Sequence, residues 1–152
     1  MPHEIIIRRA TREDTAAVEA ITRAAYAIWV PVIGREPRPM SADQDAAIRD
    51  HHVDLLCMGG DVVGLIEMIR EDNSLLIESV AVDPKFQQQG CGRRLLDHAE
   101  KVALAAGLGT VRLYTNAKFA RNIDIYLRRG YLLSGETTLS EGAVRVDMKK
   151  EL

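Results

Sequence analysis

VDPKFQQQGCGRRLL, residues 82–96, sets three glutamines and two glycines between the apolar β-branched run LLIESVAV and a segment with helical periodicity. A helix N-terminus leaves several backbone N–H groups without internal partners and carries positive partial charge, so strand, loop and helix in this order make an anion site. Gly90 and Gly92 lack Cβ atoms and let a ligand approach the main chain closely, while Arg93 and Arg94 add charge beside the loop. Taken alone, the two glycines read better as a tight turn at Gly90 and a close helix-to-sheet contact at Gly92. The spacing also sets two phosphate-binding motifs aside. The run lacks the Gly-Lys-Ser/Thr ending of a P-loop, and QQQGCG lacks the third glycine of the dinucleotide fingerprint.

Working toward the N-terminus, SLLIESVAV reads as a strand, and VDLLCM and VVGLIEMI flank the turn GGD as a hairpin, which gives three neighbouring antiparallel strands. EIIIRR is a further short strand, followed by a Thr11/Asp14 capping signal and a helix whose apolar positions are Val18, Ile21, Ala24, Ala25 and Ile28. Pro31 is expected to stop that helix. The stretch from Val30 to Met40 holds three of the five prolines, so a constrained loop that shapes a pocket is expected, with a short helix from about Ser41.

Toward the C-terminus, Leu95, Leu96, Ala99, Val102, Ala103 and Ala106 form a helical stripe that ends at Gly107 and Gly109. TVRLYT is a strand, residues 118–129 a helix, and YLLSGE and AVRVDMKK two alternating strands. No repeat or linker divides the chain, so residues 1–152 are expected to form one domain.

Composition narrows the function further. With 47% apolar and 28% charged residues and a net charge of −2, the chain lacks the dense positive charge that binds nucleic acid or anionic lipid. No run approaches eighteen consecutive apolar residues, and MPHEIIIRRATREDT has no signal-peptide pattern, so neither a membrane nor a nucleic acid is expected as partner. The chain is read as cytoplasmic. Cys57 and Cys91 are the only cysteines and show no metal-ligand spacing, so no metal is expected.

The stretch VAVDPKFQQQGCGRRLL resembles the acyl-CoA-binding motif of the GNAT superfamily of N-acyltransferases: Arg or Gln, two free positions, Gly, one free position, then Gly or Ala. Gln87, Gly90 and Gly92 occupy its fixed positions, after a strand ending in Val80, Val82 and Pro84. IIIRRATREDTAAVEAI is similar to the family's opening strand and helix, and LYTNAKFARNIDIYLRRGYLLSG to its second CoA-contacting region, so the resemblance covers essentially the whole chain. It implies an α+β fold, a mixed, mostly antiparallel sheet of six or seven strands with helices on both faces, splayed near Val80 to Val82. It also implies transfer of an acetyl group from acetyl-CoA, as co-substrate, to a primary amine on a small molecule or protein by direct attack. The main chain of Val80 and Val82 would pair with the pantetheine arm, and Gln88, Gln89, Gly90, Cys91, Gly92 and Arg93 would hold the pyrophosphate. The chain departs from the commoner pattern in placing Phe119 where an asparagine falls; Asn122, four residues before Tyr126, matches a subset of the family and is carried over as a cofactor contact, with Asn116 as a further one.

Such chemistry needs a neutral amine, and an alkylamine with a pKa of about 10.4 is protonated at neutral pH. Glu78 shares parity with Val80 and Val82 and is the expected base; Glu67 on the preceding strand, or a chain of waters, is the alternative. By the resemblance, Tyr126 assists the departing thiolate. Full proton transfer from a tyrosine to a thiolate is uphill by roughly 2 kcal/mol, so a hydrogen bond to the developing charge serves as well. Cys91 at a helix N-terminus invites a covalent route, but no histidine falls near it in sequence. His51, His52 and His98 are expected to be solvated or capping residues, and Tyr26 and Trp29 to line the acceptor pocket with the Pro-rich loop. A CoA-binding module without turnover is the alternative in another class, and a homodimer through the final strands or helices stays open.

Overall fold

The computed structural model describes residues 4–152. Seven strands form one sheet: β1 (Ile5–Arg9), β2 (His52–Met58), β3 (Asp61–Arg70), β4 (Leu75–Val82), β5 (Thr110–Asn116), β6 (Leu132–Thr138) and β7 (Val144–Glu151), in the spatial order β1-β2-β3-β4-β5-β7-β6. Every neighbouring pair is antiparallel except β4 and β5, which run parallel because a helix crosses between them. The expected mixed, mostly antiparallel α+β architecture is what the chain adopts.

The helices are α1 (Thr15–Tyr26), α2 (Val30–Ile33), α3 (Gln44–Asp50), α4 (Cys91–Ala105) and α5 (Ala120–Arg128). Strand alternation divides the apolar residues between two cores. Leu55 and Leu65 join Val18 and Ile21 of α1 on one face, whereas Leu56 and Ile66, their chain neighbours, join Leu95, Leu96 and Ala99 of α4 on the other. The Thr11/Asp14 capping box forms, with the Thr11 N–H donating to Asp14 Oδ2 at 2.8 Å.

Two departures from the sequence reading have physical causes. Pro31 does not end the first helix: the chain passes from α1 through a single 3-10 turn, Ala27–Trp29, into α2, where Pro31 occupies the first turn and forfeits no helical hydrogen bond. The stop falls at Gly34, whose φ of 76° is left-handed. The resulting helical run Arg12–Ile33 has the length and mean hydropathy of a membrane span, yet Val18, Ile21 and Thr22 are buried and α1 packs on β3 and β4.

The second departure is a β-bulge. Glu67 pairs with Ser79 and Met68 with Ile77, so Glu78 is an extra residue in β4. Strict alternation places Glu78 on the same face as Val80 and Val82. The bulge breaks the alternation: Val80 and Val82 pack on the α4-side core with Ile77, while Glu78 meets Tyr114, whose neighbours Val111 and Leu113 point into that same core and leave Tyr114 on the α1 side.

The parallel pairing of β4 and β5 covers only Leu75 to Ile77 against Val111 to Leu113. Beyond it the strands part, and the β5-facing edge of β4 from Glu78 to Val82 has no partner strand among the described residues. The splay lies where the family resemblance implies it. Leu95 anchors α4 beside this opening and is fully buried. Leu95→Ala is expected to cost about 2–5 kcal/mol in a denaturant titration, through the lost apolar transfer and the cavity left behind.

Candidate active site

Between Val82 and α4 the chain turns through a short 3-10 helix, Pro84–Phe86, whose first amide is capped by Asp83 Oδ1 accepting from the Lys85 N–H at 3.0 Å. The Gln87 side chain donates to the Val82 carbonyl at 3.2 Å and ties the loop to the strand end. Gln88 has a φ of 63°, an uncommon conformation for a residue with a side chain, and Gly90, the N-cap of α4, a φ of 80°. No side chain caps α4, and its first helical hydrogen bond runs from the Arg94 N–H to the Gly90 carbonyl at 3.0 Å. The N–H groups of Cys91, Gly92 and Arg93 therefore point out of the helix end without backbone partners. A Cβ built at Gly92 would meet no atom within 4 Å, so this position faces open space rather than a close helix–sheet contact.

That space is a cavity of about 590 Å³, lined by Val80 and Val82 at the open sheet edge, by Gln87, Gln88, Gly90, Cys91, Gly92 and Arg93, and by Asn122 and Tyr126 of α5. Of the expected loop contacts, Gln89 alone lies outside the lining, its side chain exposed to solvent. Arg93, Arg121, Arg128 and Arg129 also line the cavity, and no carboxylate does among the described residues. Arg129 is paired with Asp97 and Glu100, and Arg128 with Asp124, whereas Arg93 and Arg121 have no ion-pair partner among the described residues. A chain of net charge −2 thus presents a positive wall at one helix end.

A smaller cavity of about 180 Å³ shares Tyr26, Val80, Asn122 and Tyr126 with the first. Glu78 lines it, and both its carboxylate oxygens accept from the Tyr114 hydroxyl at 2.7 Å. Burial and the adjacent Glu78 carboxylate hold the Tyr114 phenol above its ordinary pKa, so it stays a donor. Ile33, Arg35, Pro37, Arg38 and Pro39 of the Pro-rich loop form another wall, so that loop does shape a pocket.

Glu67 lies on the same side of the sheet but lines neither cavity. Burial pushes its carboxyl above the usual range, nearby Glu78 adds to the rise, and His51 Nδ1 at 2.5 Å opposes it. The histidines are engaged rather than merely solvated: His52 and His98 both place Nε2 on Asp54 Oδ2, at 2.8 and 2.6 Å, His52 from two positions away on the same strand and His98 from α4. Trp29 lines the larger cavity only and stacks on Phe119 at 4.4 Å between ring centroids. Phe119 lines the smaller one, so the ring pair is a partition between the two spaces. Asn116 faces the smaller cavity and accepts from the Lys118 N–H at 2.9 Å, capping the turn into α5.

Tyr126 is half-buried where the two cavities meet, and its hydroxyl makes no hydrogen bond to a described residue. Burial raises its phenol pKa, with Tyr26 and Tyr131 adding to the rise. Cys91 is buried, and that burial pushes its thiol up against the opposing pull of Arg94, which disfavours the thiolate a covalent route needs. Among the described residues no cluster of His, Cys, Asp or Glu is arranged to hold a metal ion.

Residues 38–152 match the model of a protein family described as acetyltransferase (GNAT) domain. Over 74 residues the chain is 40% identical to S-(2-succino)cysteine N-acetyltransferase of Bacillus subtilis (strain 168), an alignment covering 47% of this chain and 45% of that protein, so it spans about half of the relative's length. The fold is similar to PaiA N-acetyltransferase of Thermoplasma acidophilum in complex with coenzyme A, with a TM-score of 0.83, 18% identity and coverage of 98% of this chain and 99% of the other. It is also similar to the ribosomal-protein-S18-alanine N-acetyltransferase of Escherichia coli, with a TM-score of 0.76, 19% identity and coverage of 97% and 94%.

Because the space at Gly92 is empty of protein atoms, a side chain there fills the cavity without disturbing the core. Gly92→Val is expected to leave stability within about 0.5 kcal/mol of wild type and to weaken coenzyme A binding at least tenfold, as measured by calorimetric titration.

Proposed function

The chain belongs to the GNAT acetyltransferase domain family, and from that premise we propose that it is an acetyl-CoA-dependent N-acetyltransferase acting on a primary amine by direct attack. The observation that carries this reading is the meeting of the two cavities at Val80, Asn122 and Tyr126: a positive helix end and an open strand edge on one side, a carboxylate on the other. The fit to a CoA ester rests on the same features. Free amides of Cys91, Gly92 and Arg93, with Arg93 and Arg121 lacking ion-pair partners among the described residues, suit a pyrophosphate, and the edge of β4 at Val80 and Val82, which no strand covers among the described residues, suits the amides of a pantetheine arm.

When bound, acetyl-CoA would supply a thioester carbonyl carbon open to attack and a thiolate leaving group. Glu78 is assigned as the base in preference to Glu67, because Glu78 lines the acceptor-side cavity and Glu67 is turned to His51. Tyr114 fixes the Glu78 carboxylate by donating to both oxygens, which orients it to accept the amine proton as the new C–N bond forms. Tyr126 donates a hydrogen bond to the negative charge that develops on sulfur. Its raised pKa makes it a poor acid for full proton transfer and a persistent donor, so stabilisation of the thiolate is its role. The positions of Asn122 and Tyr126, one helical turn apart on α5, support a shared face toward the thioester. The sequence indications of a cytoplasmic enzyme, working at a reducing poise with two free cysteines, belong to the same proposal.

Tyr126→Phe is expected to lower kcat on the order of 10²-fold with acetyl-CoA affinity retained, as read by CoA-thiol release and calorimetry. Wild-type turnover in that variant would remove Tyr126 from the mechanism. Glu78→Gln, which keeps the Tyr114 contact but cannot take a proton, is expected to lose kcat to a similar extent, on the order of 10²-fold, whereas Glu67→Gln is expected to keep most of it. The reverse order would move the base to Glu67.

A further inference from the structure

The smaller cavity carries more information about its ligand than a place for an amine. Among the described residues its charged lining consists of Glu78 and three arginines, Arg35, Arg38 and Arg145. Arg145 is already engaged: its guanidinium lies 4.8 Å from the Tyr114 ring centroid, and its Nε is 3.1 Å from Asp147 Oδ1. Arg35 and Arg38 are different. Their Nη2 atoms converge on a single oxygen, Glu141 Oε1, at 3.3 and 3.5 Å, while Ser140 donates to Oε2 at 3.2 Å. Two guanidinium groups thus share one carboxylate through long contacts, leaving one positive charge without a partner and most of their ten N–H donors free. Arg38 opens the 3-10 turn Arg38–Ser41, whereas Glu141 lies in the turn between β6 and β7, so the contact joins two segments distant in the chain.

The cavity is therefore itself zwitterionic, with surplus positive charge at Arg35 and Arg38 and a carboxylate at Glu78. We propose that the acceptor is a zwitterion of the opposite sense, an amino-acid-type amine whose carboxylate is bound by Arg35 and Arg38 while its amine faces Glu78. This rests on the N-acetyltransferase reading above and names the substrate class for it. Guanidinium–carboxylate pairs are planar and frequently bidentate, so they fix orientation as well as affinity. The same three arginines repel a polyamine, whose second charge would have to sit among them. A carboxylate-free amine would leave the shared Glu141 arrangement as it is and gain nothing from the arginines.

The test is steady-state CoA-thiol release by the full chain with acetyl-CoA and matched acceptors: α-amino acids with neutral and acidic side chains, their methyl esters, the amines left by decarboxylation, and spermidine. The free acids are expected to exceed the esters and decarboxylated amines in kcat/KM by about 10- to 100-fold, the worth of a charge-assisted hydrogen-bond pair. In the Arg35→Gln/Arg38→Gln double variant, that gap is expected to close through a fall in kcat/KM for the acids, with kcat/KM for the esters and acetyl-CoA affinity little changed. Esters, amines or spermidine matching the acids in the wild-type enzyme, or a gap that survives in the double variant, would overturn the proposal and leave the acyltransfer reading standing. Binding of acetyl-CoA without turnover of any acceptor would instead overturn the acyltransfer reading, and this proposal with it.

Discussion

β4 and β5 stay paired for three residues and then part, and nearly everything functional in the molecule depends on that parting. A parallel pair continued to Val82 would occupy the hydrogen-bonding edge of β4 and close the gap between α1 and α5. Instead the bulge at Glu78 adds a residue to β4, changes which face its side chains take, and coincides with the end of pairing to β5. One local irregularity thus turns Glu78 toward Tyr114, exposes the main chain of Val80 and Val82, and leaves room for two cavities that meet at Tyr126.

Electrostatics divides the labour between those cavities. The larger has four arginines and the amide-bearing end of α4, and the smaller has a single carboxylate opposite its arginines. Neither feature is visible in a net charge of −2, because the compensating acids lie elsewhere: Asp97, Glu100 and Asp124 tie down Arg129 and Arg128 from outside the site, and Glu141 sits behind Arg35 and Arg38. Held in this way, the side chains need less ordering when a ligand enters, which favours binding.

Much of this is legible in the amino-acid sequence where the signal is local. The strand character of LLIESVAV, the stripe on α4 and the Thr11/Asp14 box each depend on residues a few positions apart, and each forms as read. What escapes is set by register and by distant partners. Pro31 looks like a stop because helix interiors reject proline, but a 3-10 turn at Ala27–Trp29 makes it the start of a new helix. Alternation cannot see a bulge, so the face of Glu78 is misplaced, while the Tyr114 contact spans 36 positions. The Trp29–Phe119 stack, the contact of His98 with Asp54, and the convergence of Arg35 and Arg38 on Glu141 likewise join residues with no periodic relation.

The central claim is that the end of α4 and the open edge of β4 together form a site for a CoA thioester rather than for phosphate groups in general. Parallel calorimetric titrations of the full chain with acetyl-CoA, CoA, NAD and ATP test it most directly. Micromolar binding of acetyl-CoA and CoA, with NAD and ATP far weaker, is the predicted result. Absence of CoA binding, or binding of NAD or ATP with equal strength, would contradict it and return Gly90 and Gly92 to the role of turn residues.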